Sequence, residues 1–509
     1  MKKILFITAG LLLMLTGCRQ ESDNVLSYAF NDAMAFQKAD TSFVGEFEVF
    51  WNGMNTNYAL WDYELENGLD WDNVYRKYYP KFAELDERKD SVTDEELRNL
   101  LNEIVKPLHD GHLVIKLKNL CTGNFITVSP SYLRVGDERE EEYTATKNFL
   151  PSLKYYQDKG KVLEMRRTST NVIGQTYRIM LAYMEEQITG LEQKTDRTQD
   201  EEERLNAFQS AYNDLIQILN TNNLNAYNQF AIRYEWLHIP YLEPINLNLY
   251  EHPVDITYAL LEGNIAYLSF DHFRLSAYLD ADICKEFFGQ PTGLTKVAVE
   301  SVQNTWNSWF SAIQELKKAG NLGGVIIDVR SNGGGIMDDY QYVMGALLPS
   351  GGHHMADARF KRGPGRFDYS PIMPQKMPTM KAEHETVTEP IVVLCNCSSV
   401  SMAEMTSMGA KVLENGTLIG TRTWGGFSAL SSSENYSNNY AGYVGIQNVT
   451  PVFCYIPQEV TFSILDGKIV EGRGVEPDIE VPMDFDAWNK GNGPDSQLDR
   501  ALQFIQTGN

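Results

Sequence analysis

Three short stretches carry side chains whose types and spacing suit acyl transfer. The first is Ser398-Ser-Val-Ser401-Met-Ala-Glu404, directly after an apolar run and at the start of a helical pattern. A serine there sits at the positive end of a helix, with its hydroxyl open to attack and the amide of Met402 able to donate to a developing oxyanion. Ser401-x-x-Glu404 also spells a capping box, which satisfies the helix's own first amides and involves no chemistry. Taken alone, this stretch favours the capping reading. It has no G-x-S-x-G elbow, so an α/β-hydrolase is not indicated. The second stretch is Asp328-Val-Arg-Ser-Asn-Gly-Gly-Gly335, at the end of another apolar run. Its glycines let backbone amides approach a ligand closely. No GK[ST] follows, so an oxyanion-forming turn fits better than a phosphate loop, with a plain glycine-rich loop as the alternative. The third is Asp110-Gly111-His112, where a histidine with an ordinary pKa of about 6.5 has the makings of a general base. Spacing alone does not bring His112 to Ser401.

The elements that must position these groups alternate between strand and helix from about Asp255 to Pro482. Ile265–Phe270, Gly323–Val329, Pro390–Leu394 and Leu418–Gly420 read as strands. Val299–Lys318, Met337–Leu348 and Met402–Leu413 read as helices. Continuous apolar strands alternating with helices indicate parallel pairing covered on both faces, and so an α/β class. Upstream, residues 41–118 form a helical module rich in aromatics and ending in the His112 segment, with one helix opening near Asp90–Glu96. Residues 119–254 read as a mixed, largely helical region: strands over Asn124–Val135, two helices within Ile173–Leu219, and no clear PDZ signature. The core is expected over 255–485, and a terminal helix over 486–509.

The chain has 509 residues, 43% hydrophobic and 22% charged, an ordinary globular composition. Its 44 basic and 68 acidic residues give a net charge of −24, which disfavours nucleic acid as a partner. Lys2-Lys3, the apolar run Ile4–Leu15 and Leu15-Thr-Gly-Cys18 describe a secretory signal ending at Gly17. The Cys after Leu-Thr-Gly resembles a bacterial lipobox, which implies lipidation at Cys18. Residues 18–40 would then be a tether, and the protein would be held at the cell envelope, on the outer membrane. The other cysteines, Cys121, Cys284, Cys395, Cys397 and Cys454, form no disulfide framework. The histidines include no HExxH, and a metal role is not expected.

Taken in order, GGVIIDVRSNGGG, SSVSMAEM, IGTRTWGGFS and VEGRGVEPDIEV resemble the core of the tail-specific, or C-terminal-processing, serine peptidase family. The tricorn-like branch is the nearest match, because the upstream FWNGMNTNYALWDYELENGLDWDNVYRKYYPK and LHDGHLVI resemble its helical module and histidine segment. The resemblance implies a crotonase/ClpP-like α/β core and hydrolysis of peptide bonds through an acyl-enzyme. It implies Ser401 as nucleophile and His112 as base. Glu471 would assist the histidine, and the amides of Gly333, Gly334 and Met402 would form the oxyanion hole. No cofactor is implied, and the partner is a peptide or protein substrate. Two departures stand out. The processing branch pairs its serine with a lysine in an FGKG-type motif, where this chain has Trp424-Gly425-Gly426-Phe427. Tricorn-like members often carry a serine before the histidine, where this chain has Gly111. The alternative is a catalytically silent peptide- or lipid-binding lipoprotein on the same fold.

Overall fold

Short apolar runs without alternation suit strands buried on both faces, and a computed structural model places them at the centre of one sheet. It describes residues 42–508 apart from 148, 222, 252, 364, 429–442, 446–449, 458 and 487–492. Cys18, the signal and the tether therefore lie outside the described residues.

Two neighbouring sheets frame the chemistry. In the first, β1 (Val114–Lys118) pairs antiparallel with β2 (Phe125–Val128) on one side and β12 (Val452–Tyr455) on the other, and β11 (Tyr443–Val444) follows β12. The segment leaving His112 is thus zipped to a strand more than 300 residues later, with Ile115 opposite Cys454. The helices Phe43–Asn57, Trp71–Glu87 and Asp94–Val105 belong to the same core, where Phe47 stacks on Phe82 at 4.6 Å and Trp61 meets Trp71 at 4.7 Å. Their starts follow capping chemistry: Ser42 Oγ accepts the Gly45 N–H at 2.9 Å, and Thr93 Oγ1 accepts that of Glu96 at 3.1 Å.

The main sheet has the order β14-β10-β9-β6-β5-β4-β3. Here β3 is Val162–Ser169, β4 Asp255–Leu261, β5 Ile265–Phe270, β6 Gly324–Asp328, β9 Ile391–Cys395, β10 Gly416–Gly420 and β14 Ile479–Glu480. From β5 to β14 the pairing is parallel, while β3 and β4 run antiparallel. Every residue of β5, β6 and β9 is buried. The helix Gly293–Lys318 covers one face, and Lys154–Asp158 with Ser496–Thr507 covers the other. A smaller sheet has the order β13-β7-β8, made of Glu459–Ser463, His353–Phe360 and Met373–Met377. Because β6 and β9 are adjacent and parallel, the loops leaving them emerge at one edge, where open α/β sheets place their ligands.

Two sequence expectations are corrected. Strand over Asn124–Val135 holds only for Phe125–Val128, since Pro130 opens a helix, Pro130–Thr146, in which its missing N–H costs nothing. Met337–Leu348 is not an α-helix but two 3-10 turns, Met337–Tyr342 and Met344–Ala346. Its carbonyls are taken elsewhere: Gly345 O accepts from Met380 and Leu347 O from Val387. The middle region also contributes β3 to the main sheet.

Candidate active site

Strand β9 delivers Ser401 through the turn Asn396–Val400 to the start of the helix Met402–Lys411. Ser401 has φ 56° and ψ −114°. An ordinary N-cap is extended, so capping alone does not account for this conformation, which costs about 1–3 kcal/mol for a residue with a side chain. Neighbouring bonds enforce it. The Ser401 N–H donates to Gly426 O at 3.0 Å and to Glu404 Oε2 at 3.2 Å, and Val400 N–H donates to Asn332 O at 2.9 Å.

Glu404 does more than complete a capping box. Its Oε1 accepts the Thr423 hydroxyl at 2.6 Å and Gly425 N–H at 2.8 Å, and its Oε2 accepts Gly426 N–H at 2.8 Å. One buried carboxylate therefore joins the serine to the loop 423–426. Burial pushes its pKa up to about 7, against the pull of those donors.

The glycine loop after β6 lies against the serine. A Cβ on Gly334, which has φ +89°, would stand 2.6 Å from Ser401 Cβ and 3.0 Å from Met402 N, so no side chain fits. The Gly334 N–H donates to Asn332 Oδ1 at 2.9 Å and is not free to receive an oxyanion. Gly334 thus supplies space, not a donor. Among the described residues the amides of Gly333 and Met402 have no hydrogen-bond acceptor; Met402, in the helix's first turn, has none within the helix either. The base of the loop is fixed by Arg330, fully buried, which pairs with Asp328 and with Asp495 ahead of the terminal helix. The helix Pro130–Thr146 clamps the rim: Arg139 Nη1 donates to Thr423 O at 2.9 Å, Ser331 Oγ to Thr146 O at 2.6 Å, and Thr146 shares a hydrogen bond with Ser398 at 2.7 Å.

His112 reaches the same place from the first sheet. Asp110 Oδ1 accepts the N–H groups of His112 at 2.8 Å and Leu113 at 2.9 Å, an Asx turn that sets the loop's path. A Cβ on Gly111 would lie 2.5 Å from Gly426 Cα, so the His loop rests directly on the 425–426 backbone. A Cβ on Gly426 would lie 3.5 Å from His112 Cε1. A side chain at position 426 would therefore begin in van der Waals contact with the imidazole. Glycine at 111 is what lets the two loops meet this closely. The Ser401 N–H and the His112 loop both meet the Gly426 backbone, but no hydrogen bond joins Ser401 Oγ to the ring among the described residues. Burial lowers the His112 pKa and the charge of Glu471 opposes that, so the ring is neutral near pH 7 and able to accept a proton.

Glu471 is fully buried and does not bond the imidazole. Its Oε1 accepts from Gly111 N–H, and its Oε2 accepts from Phe427 at 2.7 Å and Ser428 at 2.5 Å. It ties the His loop to the segment after Gly426 and reaches the ring only through space. Among the described residues His112 Nδ1 is buried with no partner, as is Asp110 Oδ2, and burial together with the Glu471 charge raises the Asp110 pKa well above the carboxylate range. Asp110 and Asn332 were not singled out as site residues in the sequence. The Asp-Gly-His and Asn-Gly-Gly spacings, both typical of side-chain-closed turns, were the available signal.

Comparison with known proteins adds the family. Residues 293–481 match the model of peptidase family S41. The tricorn protease of Thermoplasma volcanium is 26% identical over 182 residues, 36% of this chain and 14% of that protein. The carboxy-terminal-processing protease of Bartonella bacilliformis is 25% identical over 196 residues, 38% of this chain and 39% of that protein. The chain therefore spans well under half the length of these curated relatives. A solved structure of a candidate peptidase from Parabacteroides merdae covers 92% of this chain and 98% of its own, at 15% identity and a TM-score of 0.49. His112 lies outside the matched segment, whereas Ser401, Glu404, Gly426 and Glu471 lie within it. The chain carries a peptidase family S41 domain, related to those of tricorn and carboxy-terminal-processing proteases.

Proposed function

We propose that the protein is a serine peptidase using Ser401 and His112. His112 takes the Ser401 hydroxyl proton as the oxygen attacks a peptide carbonyl carbon, and the amides of Gly333 and Met402 receive the tetrahedral oxyanion. The protonated imidazole gives its proton to the departing amine as the C–N bond breaks. Water, deprotonated by the same ring, then cleaves the ester and restores the serine. Glu471 and Glu404 act as positioning residues through backbone amides. The observation that carries this reading is the convergence on the Gly425–Gly426 backbone, where the Gly426 carbonyl holds the Ser401 amide and the His112 loop packs at Gly111. The glycine at 426 argues against a lysine base.

The substrate class is protein or peptide, in keeping with peptidase relatives. The sequence around Cys18 supports attachment of the mature chain to the outer membrane through a lipid. Hydrolysis of a quenched-fluorescent peptide library tests the reading. Ser401→Ala and His112→Ala should each lower kcat by about 10³–10⁶-fold with intact folding. Turnover unchanged by either substitution would overturn it, and a wild type inert to every peptide but able to bind one would favour the non-catalytic lipoprotein.

A further inference from the structure

Strand β3 is the free edge of the main sheet. It pairs with β4 on one side, and no described strand pairs with the other. Leu163, Glu164, Met165, Arg166 and Arg167 are all exposed, Leu163 at 58% and Met165 at 37%. Edges this open are usually kept short or interrupted by proline or a bulge; β3 runs for eight residues without a proline, and its one bulge, between Val162 and Glu164, leaves Glu164–Ser169 in regular register. Its charges are also ordered. Glu164 and Arg166, two apart, share a face with Tyr258, whose hydroxyl lies 3.5 Å from Glu164 Oε2 and feels both charges. Met165 and Arg167 occupy the other face, and a bulge between Val162 and Glu164 interrupts the register at Leu163.

Outward-facing N–H and C=O groups recur on alternate residues, so two copies of one edge can pair about a two-fold axis only with the axis centred on a residue. Centring on Glu164 opposes two glutamates, and centring on Arg166 or Arg167 opposes two arginines. Centring on Met165 opposes Glu164 with Arg166 of the second copy, twice. It also sets Met165 against Met165. Among these registers, only the last contains attractive charge pairs and no like-charge pair.

We propose that two copies of this chain associate edge to edge through β3, about a two-fold axis at Met165, with reciprocal Glu164–Arg166 pairs. The main sheet then continues across both copies. The site edge of each sheet is untouched, so the pairing is independent of the peptidase reading.

Sedimentation velocity of the mature protein from about 1 to 100 μM at low ionic strength tests this. Wild type should show a concentration-dependent dimer. Arg166→Glu places two Glu–Glu contacts across the axis and should weaken the dimer about tenfold or more. Adding Glu164→Arg exchanges the charges and should restore it. Both positions are exposed, so thermal unfolding should hold near the wild-type value in each variant. A wild type that stays monomeric at 100 μM would overturn the proposal, whether a substrate segment or residues 1–41 cover the edge. So would a dimer indifferent to Arg166→Glu, or one that the double exchange fails to recover.

Discussion

Gly111→Ala is a sharp probe of how the His loop is seated. The new Cβ would stand 2.5 Å from Gly426 Cα, 2.7 Å from Gly425 O and 2.9 Å from Gly426 N, all of them backbone atoms. Carbon contacts relax at about 3.5–4.0 Å, so the two loops must separate by about 1 Å. Gly111 does not have a positive φ, so the effect is steric and not conformational. Overpacking of this kind costs about 1–3 kcal/mol. A shift of about 1 Å between base and nucleophile costs about 10²-fold in rate. The assay pairs a thermal melt with steady-state peptide hydrolysis; kcat should fall about 10²-fold and KM should change little. Gly190→Ala serves as the control, since nothing lies within 4 Å of its Cβ and the helix there should gain about 0.5–1 kcal/mol with activity intact. Wild-type kcat in Gly111→Ala would refute the packing argument, because the ring could then not depend on contact between the His loop and Gly426.

Other substitutions follow from the same geometry. Glu471→Gln replaces one acceptor oxygen with a donor facing buried N–H groups, so stability should fall by about 1–3 kcal/mol, and kcat should fall with it; full activity in a chemically folded variant would contradict its positioning role. Ser401→Gly removes the side-chain strain at φ 56° and should raise stability by about 1 kcal/mol while abolishing hydrolysis, as read by denaturant unfolding. Glu46 is 3% exposed, neither carboxylate oxygen has a partner among the described residues, and burial pushes its pKa up to about 9 from 4.5. The folded state holds a proton that the unfolded chain releases, so this group's stability contribution is complete below about pH 4.5 and is lost as pH rises towards 9. At pH 7 the loss is about 3 kcal/mol, so Glu46→Gln should raise unfolding free energy there and flatten its slope between pH 5 and 9.

How far the sequence carried depends on the range of the forces involved. The buried strands and the helix after Ser401 were legible because apolar runs and helix-start chemistry are local. The strand β3 was not, because Val162–Ser169 carries charges on an exposed edge and shows no alternation that marks a buried face. The Met337–Leu348 segment has helical periodicity, but neighbours more than 30 residues on claim its carbonyls. In the site, residue types marked Ser401 and His112, while their relation to each other depended on a long-range pairing of β1 with β12. Glu471 was legible as an acid near the histidine, yet its bonds go to the backbone of Gly111, Phe427 and Ser428, which no spacing rule reveals. Glu404 read as a cap; its second function required Gly425 and Gly426 to fold back onto it.

The most direct test is the site and pH dependence of modification by a serine-directed fluorophosphonate, read by intact mass and peptide mapping. A single adduct on Ser401 is predicted. It should form at a rate that rises through a histidine pKa below about 6.5 and fall by about 10³-fold or more in His112→Ala. An adduct on another serine, or labelling of Ser401 that is indifferent to His112, would contradict the pairing of these two residues.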